Sequence, residues 1–368
     1  MLSKQELLYT LALQRCAGLG DTLAKKLIYA VGSAEGIFKE KKSNLLKIEG
    51  IGGSRLNGLD SKVLLKVAED EIRFIEEQKI DCHYFKAATY PERLKQCVDG
   101  PILIFSKGNI NLNNRKILSI VGTRRVTSYG VKFCERFIEE ISPLNPIIVS
   151  GFAYGVDITA QLAAVNRRLQ TIGCLAHGFN EIYPRNHRRY VEAIENHGGF
   201  LTEFWSDDPF DRNNFLKRNR IIAGMTEATI VIESAEKGGS LVTADIANSY
   251  NRDVFAVPGR STDKQSIGCN NLIKSQQAHL LTSAADLIYI LGWDLNHDRK
   301  PTRQLELFKD LSEEQHKIYH YLKEHDKKHL DLIALECNLP AYKVASTLLE
   351  MELMGLILPL PGKQFSLH

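Results

Sequence analysis

Between about residue 80 and residue 292, the chain alternates short apolar runs rich in β-branched residues with stretches of helical character. Most of these runs are continuously apolar, as is typical of strands covered on both faces of a parallel sheet. Such an alternation predicts an α/β fold with a parallel, doubly wound sheet. The predicted strands are Ile102–Phe105, Ile117–Val121, Ile147–Ser150, Thr171–Leu175, Phe200–Glu203, Thr229–Glu233 and Val254–Val257.

A small helical domain is predicted for residues 1–78, in front of the α/β domain at 79–292. Two similar glycine turns, Ala17-Gly-Leu-Gly20 and Glu49-Gly-Ile-Gly52, each precede a helical segment, at Asp21 to Tyr29 and at Ser54 to Asp60. Glycines in such turns let backbone amides approach a phosphate at a helix amino terminus. The pattern resembles a tandem helix-hairpin-helix, although the same glycines could simply close tight helix connections in a packing domain.

The carboxyl-terminal part predicts a linker followed by a second small domain. Residues 293–303 are polar and contain a proline, which suits a linker. Residues 304–368 contain three helical segments, Glu313–Lys323, His329–Cys337 and Ala341–Met351, and then a short hairpin. This is the layout of a winged helix, a fold that binds DNA or proteins, and the sequence does not choose between them.

Composition excludes several classes of protein. The formal net charge is only +3, so an anionic partner must be held by local clusters of cations rather than by a global field. Seven cysteines occur singly, without a Cys-x-x-Cys pair, which argues against a disulfide framework or a zinc knuckle. No run approaches the roughly 18 apolar residues of a membrane span, and the amino terminus lacks a signal-peptide pattern. We therefore expect a cytoplasmic protein.

Glycine-rich turns follow several predicted strands, at the sheet edge where doubly wound folds bind ligands. Gly122-Thr-Arg-Arg follows one strand, and Ser150-Gly-Phe-Ala-Tyr-Gly-Val-Asp157 follows the next. Glu233-Ser-Ala-Glu-Lys-Gly-Gly-Ser, Pro258-Gly-Arg260 and Ser266-Ile-Gly-Cys complete the ring. These turns do not form the three-glycine dinucleotide fingerprint, and no cofactor or metal is expected. Their amides can form an anion-binding nest, while Asp157 is favoured as a structural residue of its helix.

Three clusters of cations are candidates for anion binding, although each alone could be an ordinary solvated surface. They are Arg115, Lys116, Arg124 and Arg125; Arg185, His187, Arg188 and Arg189; and Arg212, Lys217, Arg218 and Arg220. The last cluster lies in Phe215-Leu-Lys-Arg-Asn-Arg-Ile-Ile-Ala-Gly224, where the apolar tail predicts a buried helical segment. We therefore expect Arg124 and Lys217 to face one cleft, with Phe215 either stacking on a base or belonging to the core.

Eight ordered motifs between residues 121 and 273 resemble the DprA/Smf family, the DNA-processing proteins of natural transformation. They are Val121-Gly-Thr-Arg, Tyr129-Gly, Ser150-Gly-x-Ala-x-Gly-Val-Asp157, Tyr183-Pro, Phe215-x-x-Arg-Asn-Arg-Ile-Ile-Ala, Gly239-Ser-Leu-Val-Thr-Ala244, Arg252-x-Val-Phe-Ala-Val-Pro-Gly259 and Gly268-x-Asn-x-Leu-Ile273. The predicted helical, extended Rossmann and winged-helix domains also match that family's layout. Gln161 and Leu216 depart from it, because the family usually has histidine and proline at these positions.

The resemblance implies a non-catalytic protein that binds and protects incoming single-stranded DNA, delivers it to the RecA recombinase, and forms a homodimer through its Rossmann domain. Carried over by position, the implied DNA-binding residues are Gly122, Thr123, Arg124, Ser150, Gly151, Arg212, Phe215, Lys217, Arg218, Asn219, Gly239 and Ser240. Cations and amides bind phosphates without sequence preference, and an aromatic ring can stack on an unpaired base.

Two alternative functions are open at the level of sequence. A nucleotide-processing Rossmann enzyme would need a catalytic acid, for which Glu233 and Asp245 flank the glycine pair Gly238-Gly239. No Ser/His/Asp set or metal-ligand cluster accompanies them, so no catalytic residue is predicted. An interaction adaptor would bind its partners through the two end domains and leave the cleft empty. Such a protein would not need cations facing the cleft.

Overall fold

The computed structural model describes residues 2–59, 62–112, 116–293, 311–325, 327–354, 356–360 and 364–367. The chain divides into two compact units, residues 1–295 and 296–368. The second unit begins near the predicted linker at 293–303, of which all but Trp293 lies outside the described residues. No helix in the described ranges is both long and apolar enough to cross a membrane.

In the part of the first unit that the structure describes, nine strands form a mixed sheet with the order β1-β2-β6-β5-β4-β3-β7-β8-β9. The strands are β1 (Asp81–Tyr84), β2 (Leu103–Gly108), β3 (Ile117–Val121), β4 (Ile147–Ser150), β5 (Thr171–Cys174), β6 (Gly198–Thr202), β7 (Ala228–Val231), β8 (Asp253–Ala256) and β9 (His279–Leu280). From β6 to β9 all neighbouring strands pair in parallel.

The prediction of a wholly parallel sheet is wrong at one edge. The strand predicted at Ile102–Phe105 is β2, which pairs antiparallel with both β6 and β1. Two edge strands, β1 and β9, were not predicted because each is short and none of their residues is both apolar and β-branched. The other predicted strands agree with the structure to within two residues at each end.

Helices cover both faces of the parallel part of the sheet, which confirms the doubly wound α/β class. The helices between residues 92 and 291 are α6 (Glu92–Lys95), α7 (Ser128–Ile141), α8 (Val156–Asn166), α9 (Val191–Asn196), α10 (Asn213–Met225), α11 (Gly239–Ser249), α12 (Ile267–Lys274) and α13 (Ala284–Leu291). Alternate residues of β3 point to opposite faces. Leu118 and Ile120 join a core with α7 and α8, whereas Ile117 and Val121 join a core with α10 and α11.

The amino-terminal helices pack into the same core as the sheet. They are α1 (Lys4–Gln14), α2 (Asp21–Val31), α3 (Ala34–Lys39), α4 (Lys42–Leu45) and α5 (Lys62–Gln78). Leu11 of α1 and Ile28 of α2 are fully buried in one cluster with residues of β2. Asp21 also accepts a 2.9 Å hydrogen bond from the amide of Ile102. The predicted 1–78 domain therefore belongs to the first compact unit rather than forming one of its own.

Only the first glycine turn is followed by a full helix. The segment predicted as helical at Ser54 to Asp60 is a short 3-10 turn at Gly53–Leu56, and Asp60 lies outside the described residues. The two turns nevertheless approach each other, because a Cβ atom on Gly18 would lie 3.8 Å from Arg55.

Within its described residues, the second unit combines three helices with a three-stranded antiparallel sheet. Its elements are α14 (Glu313–His325), β10 (Lys328–His329), α15 (Leu330–Glu336), α16 (Ala341–Leu353), β11 (Ile357–Leu360) and β12 (Gln364–Leu367). The strand order is β10-β12-β11. This arrangement confirms the predicted winged helix.

Candidate functional site

A cleft of about 280 Å³ opens at the carboxyl ends of the central strands. The cleft lies at the point where the strand order reverses. From β3 the chain adds β4, β5 and β6 on one side of the sheet and then β7, β8 and β9 on the other. A crevice forms at such a switch point because the connections on its two sides run to opposite faces of the sheet. Four segments line the cleft: the loop after β3, the loop after β4 with the start of α8, one face of α10, and the turn before α11.

The loop after β3 is fixed by backbone contacts on both sides. The amide of Thr123 donates to the carbonyl of Glu233 at 2.7 Å, and the amide of Val156 donates to the carbonyl of Thr123 at 3.1 Å. Gly155 has a φ of +78°, and a Cβ atom there would lie 2.2 Å from the Thr123 carbonyl oxygen. Glycine is therefore required at 155, and the loop holds Arg124 exposed at the cleft.

An aromatic ring lies between two arginines in the cleft wall. The guanidinium carbon of Arg124 is 5.1 Å from the centre of the Phe215 ring, and that of Arg218 is 6.0 Å from it. Phe215 is half-buried, and its ring also contacts Tyr183 and Phe210, each at a centroid distance of 5.8 Å. Phe215 is thus neither a core residue nor a free side chain, and it lines the cleft.

Arg218 is a buried cation at the base of the same wall. It donates from Nη1 to the carbonyl of Cys174 at 2.7 Å and is 4% exposed. Burial lowers the pKa of Arg218, and the nearby carboxylate of Asp157 opposes that shift. Burial likewise raises the pKa of Asp157, while Arg218 and the amides of Ala153 and Gly151 act against it. The two charges stabilise each other within the fold, which supports the structural role predicted for Asp157.

Ser150 and Gly151 use their donors inside the protein, contrary to the prediction that they would present them to a ligand. The hydroxyl of Ser150 is buried and donates to the carbonyl of Ile120 at 2.6 Å. The amide of Gly151 donates to Asp157 at 3.1 Å. A Cβ atom on Gly151 would lie 2.0 Å from Nη1 of Arg218, so this glycine makes room for the buried arginine.

The amino end of α11 forms the opposite wall. Gly238, Gly239 and Ser240 line the cleft, as the predicted anion nest requires. First-turn amides have no partner within their own helix and carry the positive end of the helix dipole. A Cβ atom on Gly239 would have no neighbour within 4 Å, whereas one on Gly238 would lie 2.1 Å from the Ser234 hydroxyl. The open side of Gly239 therefore lets another molecule approach the backbone closely.

The cations of α10 do not share one face, which contradicts the prediction that Arg124 and Lys217 face the same cleft. Phe215, Arg218 and Asn219 line the cleft, whereas Lys217 and Arg220 line a separate pocket beside α2. Arg220 pairs with Asp21 at 3.1 Å and also with Glu203.

Burial raises the pKa of Glu203 to about 7, although its partner Arg220 acts in the opposite direction. Arg220 therefore forms its ion pairs with carboxylates inside the first unit and does not line the cleft. Arg212 is exposed at the position before α10 and lines neither pocket.

The two remaining glycine turns, at Gly259 and Gly268, make structural hydrogen bonds outside the lining of the cleft. The amide of Gly268 donates to the carbonyl of Ser234 at 2.9 Å, and the Asn270 side chain bonds both backbone groups of Gly259. Neither turn lines the cleft. The prediction that they complete the ring is therefore wrong, and both turns have structural roles.

The two carboxylates considered for catalysis lie outside the lining of the cleft. Glu233 is 2% exposed and accepts hydrogen bonds from the amide (2.8 Å) and the hydroxyl of Thr127, at the start of α7. A Cβ atom on Gly130 would lie 2.6 Å from the carboxyl carbon of Glu233. Asp245 is exposed on α11.

Sequence reasoning missed two aromatic residues next to the cleft. Tyr183 and Phe210 contact each other at 4.9 Å and both contact Phe215. Tyr183 belongs to one of the quoted motifs, and this was the available signal. Phe210 belongs to none of the quoted motifs, so its contact with Phe215 could be recognised only from the structure.

Two family models match the chain: DNA recombination-mediator protein A over residues 81–292, and the DprA winged helix domain over residues 306–363. The DNA processing protein DprA of Bacillus subtilis is 38% identical over 213 residues, covering 57% of this chain and 71% of that protein. Protein Smf of Escherichia coli is 33% identical over 288 residues, covering 74% of each.

Two solved structures share the fold at 27% identity. The X-ray structure of DNA processing protein A from Streptococcus pneumoniae aligns over 78% of this chain and 98% of its own, with a TM-score of 0.62. DNA processing protein A from Helicobacter pylori, whose structural study concerns its mode of single-stranded DNA binding, covers 58% and 95%, with a TM-score of 0.52.

Proposed function

This chain belongs to the DNA recombination-mediator protein A (DprA/Smf) family, and we propose that it binds single-stranded DNA in the cleft at the carboxyl ends of β3, β4 and β7. The observation that carries the proposal is the half-buried Phe215 ring between Arg124 and Arg218, opposite the amino end of α11. Cations and helix amides bind phosphates, and an aromatic ring stacks on a base of any sequence. The site suits a strand whose base faces are free, which a duplex does not offer.

The roles of the cleft residues follow from their burial. Arg124 is exposed and forms no ion pair among the described residues, so it can pair with a phosphate in exchange for its contact with the Phe215 ring. Arg218 is buried and donates a hydrogen bond to the carbonyl of Cys174, so it supplies a stationary positive charge beside the ring. The amides of Gly239 and Ser240 add donors on the facing wall. A strand passing through would have its phosphates bound on both walls and one base against Phe215.

We also propose that the protein is not an enzyme. Glu233 is occupied with the start of α7, and Asp245 does not line the cleft, so neither carboxylate is poised as a general acid or base there. Prolonged incubation with oligonucleotides and nucleoside monophosphates should release neither base nor shorter strands. Turnover that co-purifies with the protein and disappears in Asp245→Asn would contradict this.

Family membership supports a partner beyond the DNA. We propose that the bound strand is delivered to the recombinase RecA, and that two copies associate through the α/β unit. The chain should accelerate RecA filament formation on single-stranded DNA already covered by another binding protein, and light scattering should give the mass of a dimer. A monomer with no effect on filament formation would remove this part of the proposal and leave DNA binding untouched.

The direct test is fluorescence anisotropy with a labelled oligothymidine and with a duplex of the same length, at about 50 and about 200 mM salt. Each neutralised phosphate of a single strand contributes about −0.7 to the slope of log affinity against log salt. We expect tighter binding of the single strand with a clear negative slope. Equal affinity for the duplex, or no salt dependence, would exclude the cleft as a single-strand site.

A further inference from the structure

Beside the cleft, a short 3-10 helix carries a group of exposed arginines that the cleft itself does not use. The helix spans Arg185–Tyr190 and contains Arg185, Arg188 and Arg189, all exposed. Within the described ranges, none of the three forms an ion pair, although Glu181 and Glu192 lie close in sequence. Arg189 stands over the ring of Tyr190 at 4.7 Å. Three cations without anionic partners on one short helix make a local positive surface.

The fold holds this helix firmly. His187 is 3% exposed, and its Nδ1 lies 3.0 Å from the carbonyl oxygen of Phe152 in the loop after β4. The His187 ring also packs edge-on against Phe152 at 5.2 Å and against Tyr154 at 4.8 Å. His187 therefore anchors the helix from below while the arginines on either side of it point outward. The arginines are displayed on a fixed support rather than on a mobile tail.

Two sets of contacts connect this helix to the cleft. Tyr183, two residues before Arg185, contacts the Phe215 ring in the cleft wall at 5.8 Å. The loop that anchors His187 includes Ala153, which lines the cleft, and Tyr154, which is 41% exposed. An aromatic surface thus continues from Phe215 over Tyr183 toward the arginines.

We propose that Arg185, Arg188 and Arg189 form a second phosphate-binding subsite for the same DNA strand, reached from the cleft over Tyr183. This inference rests on the proposed function, because it extends the path of a strand bound at Phe215. Guanidinium groups bind phosphate oxygens through several donors in a fixed fork, so a cluster of them neutralises successive phosphates. The subsite adds affinity only for strands long enough to leave the cleft.

The test compares the wild type with the triple variant Arg185→Ala/Arg188→Ala/Arg189→Ala, using oligothymidines of about 4 and about 16 nucleotides. Two matched variants accompany it. The triple arginine-to-lysine variant keeps the charges, and Lys62→Ala/Lys66→Ala/Lys274→Ala removes three exposed charges from other helices. Circular dichroism melts verify that all variants remain folded.

We expect the alanine variant to bind the short strand as the wild type does and to bind the long strand more weakly. At about −0.7 per phosphate, loss of three contacts reduces the long-strand salt slope by about 2. The arginine-to-lysine variant should keep the wild-type salt slope. The Lys62→Ala/Lys66→Ala/Lys274→Ala control should also show the wild-type slope. An unchanged slope, or equal losses on both lengths, overturns the subsite while wild-type binding still supports the cleft. Absence of wild-type binding overturns both.

Discussion

At the scale of single residues, two arginines beside one ring have different tasks. Arg218 is buried, bonded to the carbonyl of Cys174 and balanced by Asp157. Arg124 is exposed and contacts only the face of Phe215 among the described contacts. Truncating a buried, hydrogen-bonded charge leaves its buried partner unsatisfied, whereas truncating an exposed charge mainly removes its contact with the ligand. Mutation of Arg218 therefore confounds folding with binding, and Arg124 is the informative position.

We expect Arg124→Ala to reduce the affinity for oligothymidine and to reduce the salt slope by about 0.7, the contribution of one phosphate. Arg125→Ala is the matched control, because Arg125 is adjacent and also exposed but does not line the cleft. Anisotropy titrations at several salt concentrations measure both slopes. Identical slopes for the two variants would show that Arg124 makes no phosphate contact.

Two glycines of the cleft should respond oppositely to alanine. At Gly151 a Cβ atom would collide with Arg218, so Gly151→Ala should lower the free energy of unfolding by about 1–3 kcal/mol. At Gly239, the first residue of α11, space is open, so Gly239→Ala should preserve stability but weaken DNA binding by blocking the approach to the backbone. Denaturant melts and anisotropy separate the two effects. A stable Gly151→Ala, or a Gly239→Ala that binds normally, would contradict this assignment.

At the scale of elements, α10 shows which features could be predicted from the sequence and which could not. The cation-rich segment with an apolar tail correctly predicted a helix held against the core, but not which cations would turn toward the cleft. The direction of these cations depends on tertiary packing. Arg220 forms ion pairs with Asp21 at the start of α2 and with Glu203 after β6, and Lys217 lines the same pocket as Arg220. The partners are far apart in sequence, so no local pattern could reveal them. The turn before α11 was predicted well because glycine next to a helix start is a local signal.

The loop after β5 should make stability depend on pH. His177 is buried, accepts a 3.2 Å hydrogen bond at Nε2 from the amide of Tyr183, and has its pKa lowered by burial. The unfolded chain binds this proton near the ordinary value of about 6.5, and the folded chain only at lower pH. The free energy of unfolding should therefore fall as pH drops below about 6.5.

His177→Gln removes the titrating group. We expect thermal melts between about pH 7.5 and about pH 5.5 to show a smaller loss of stability on acidification than in the wild type. His187, whose pKa is also lowered by burial, keeps part of the dependence in this variant. An equally steep loss in the variant and the wild type would show that His177 does not contribute.

At the scale of the whole molecule, the sequence predicted the α/β class, the central strands and the winged helix, because continuous apolar runs and helical periodicity are local. It did not predict that β2 is antiparallel or that the amino-terminal helices share the core of the sheet. Both depend on contacts between distant segments, such as the 3.0 Å hydrogen bond from Lys25 to the carbonyl of Cys97. A domain boundary near residue 79 would therefore cut through one continuous core.

The winged-helix unit should not contribute to single-strand affinity. Helix-turn-helix folds read DNA with an exposed helix that carries polar and basic residues. The exposed side chains of α16 include Tyr342, Leu349 and Leu353, and its one basic residue, Lys343, pairs with Glu314. A chain ending at residue 293 should keep its affinity within about twofold and its salt slope unchanged. A slope reduced by one or more phosphate contacts would assign DNA binding to this unit.

The central claim, that a base stacks on Phe215 within the cleft, is tested most directly by comparing an oligothymidine with an abasic strand of equal length. Stacking contributes about 1–3 kcal/mol per base, so the wild type should prefer the oligothymidine by about that amount. Phe215→Leu should remove the preference while keeping the salt slope, and Phe210→Leu, at a ring that does not line the cleft, should retain it. A preference that survives in Phe215→Leu would contradict the account.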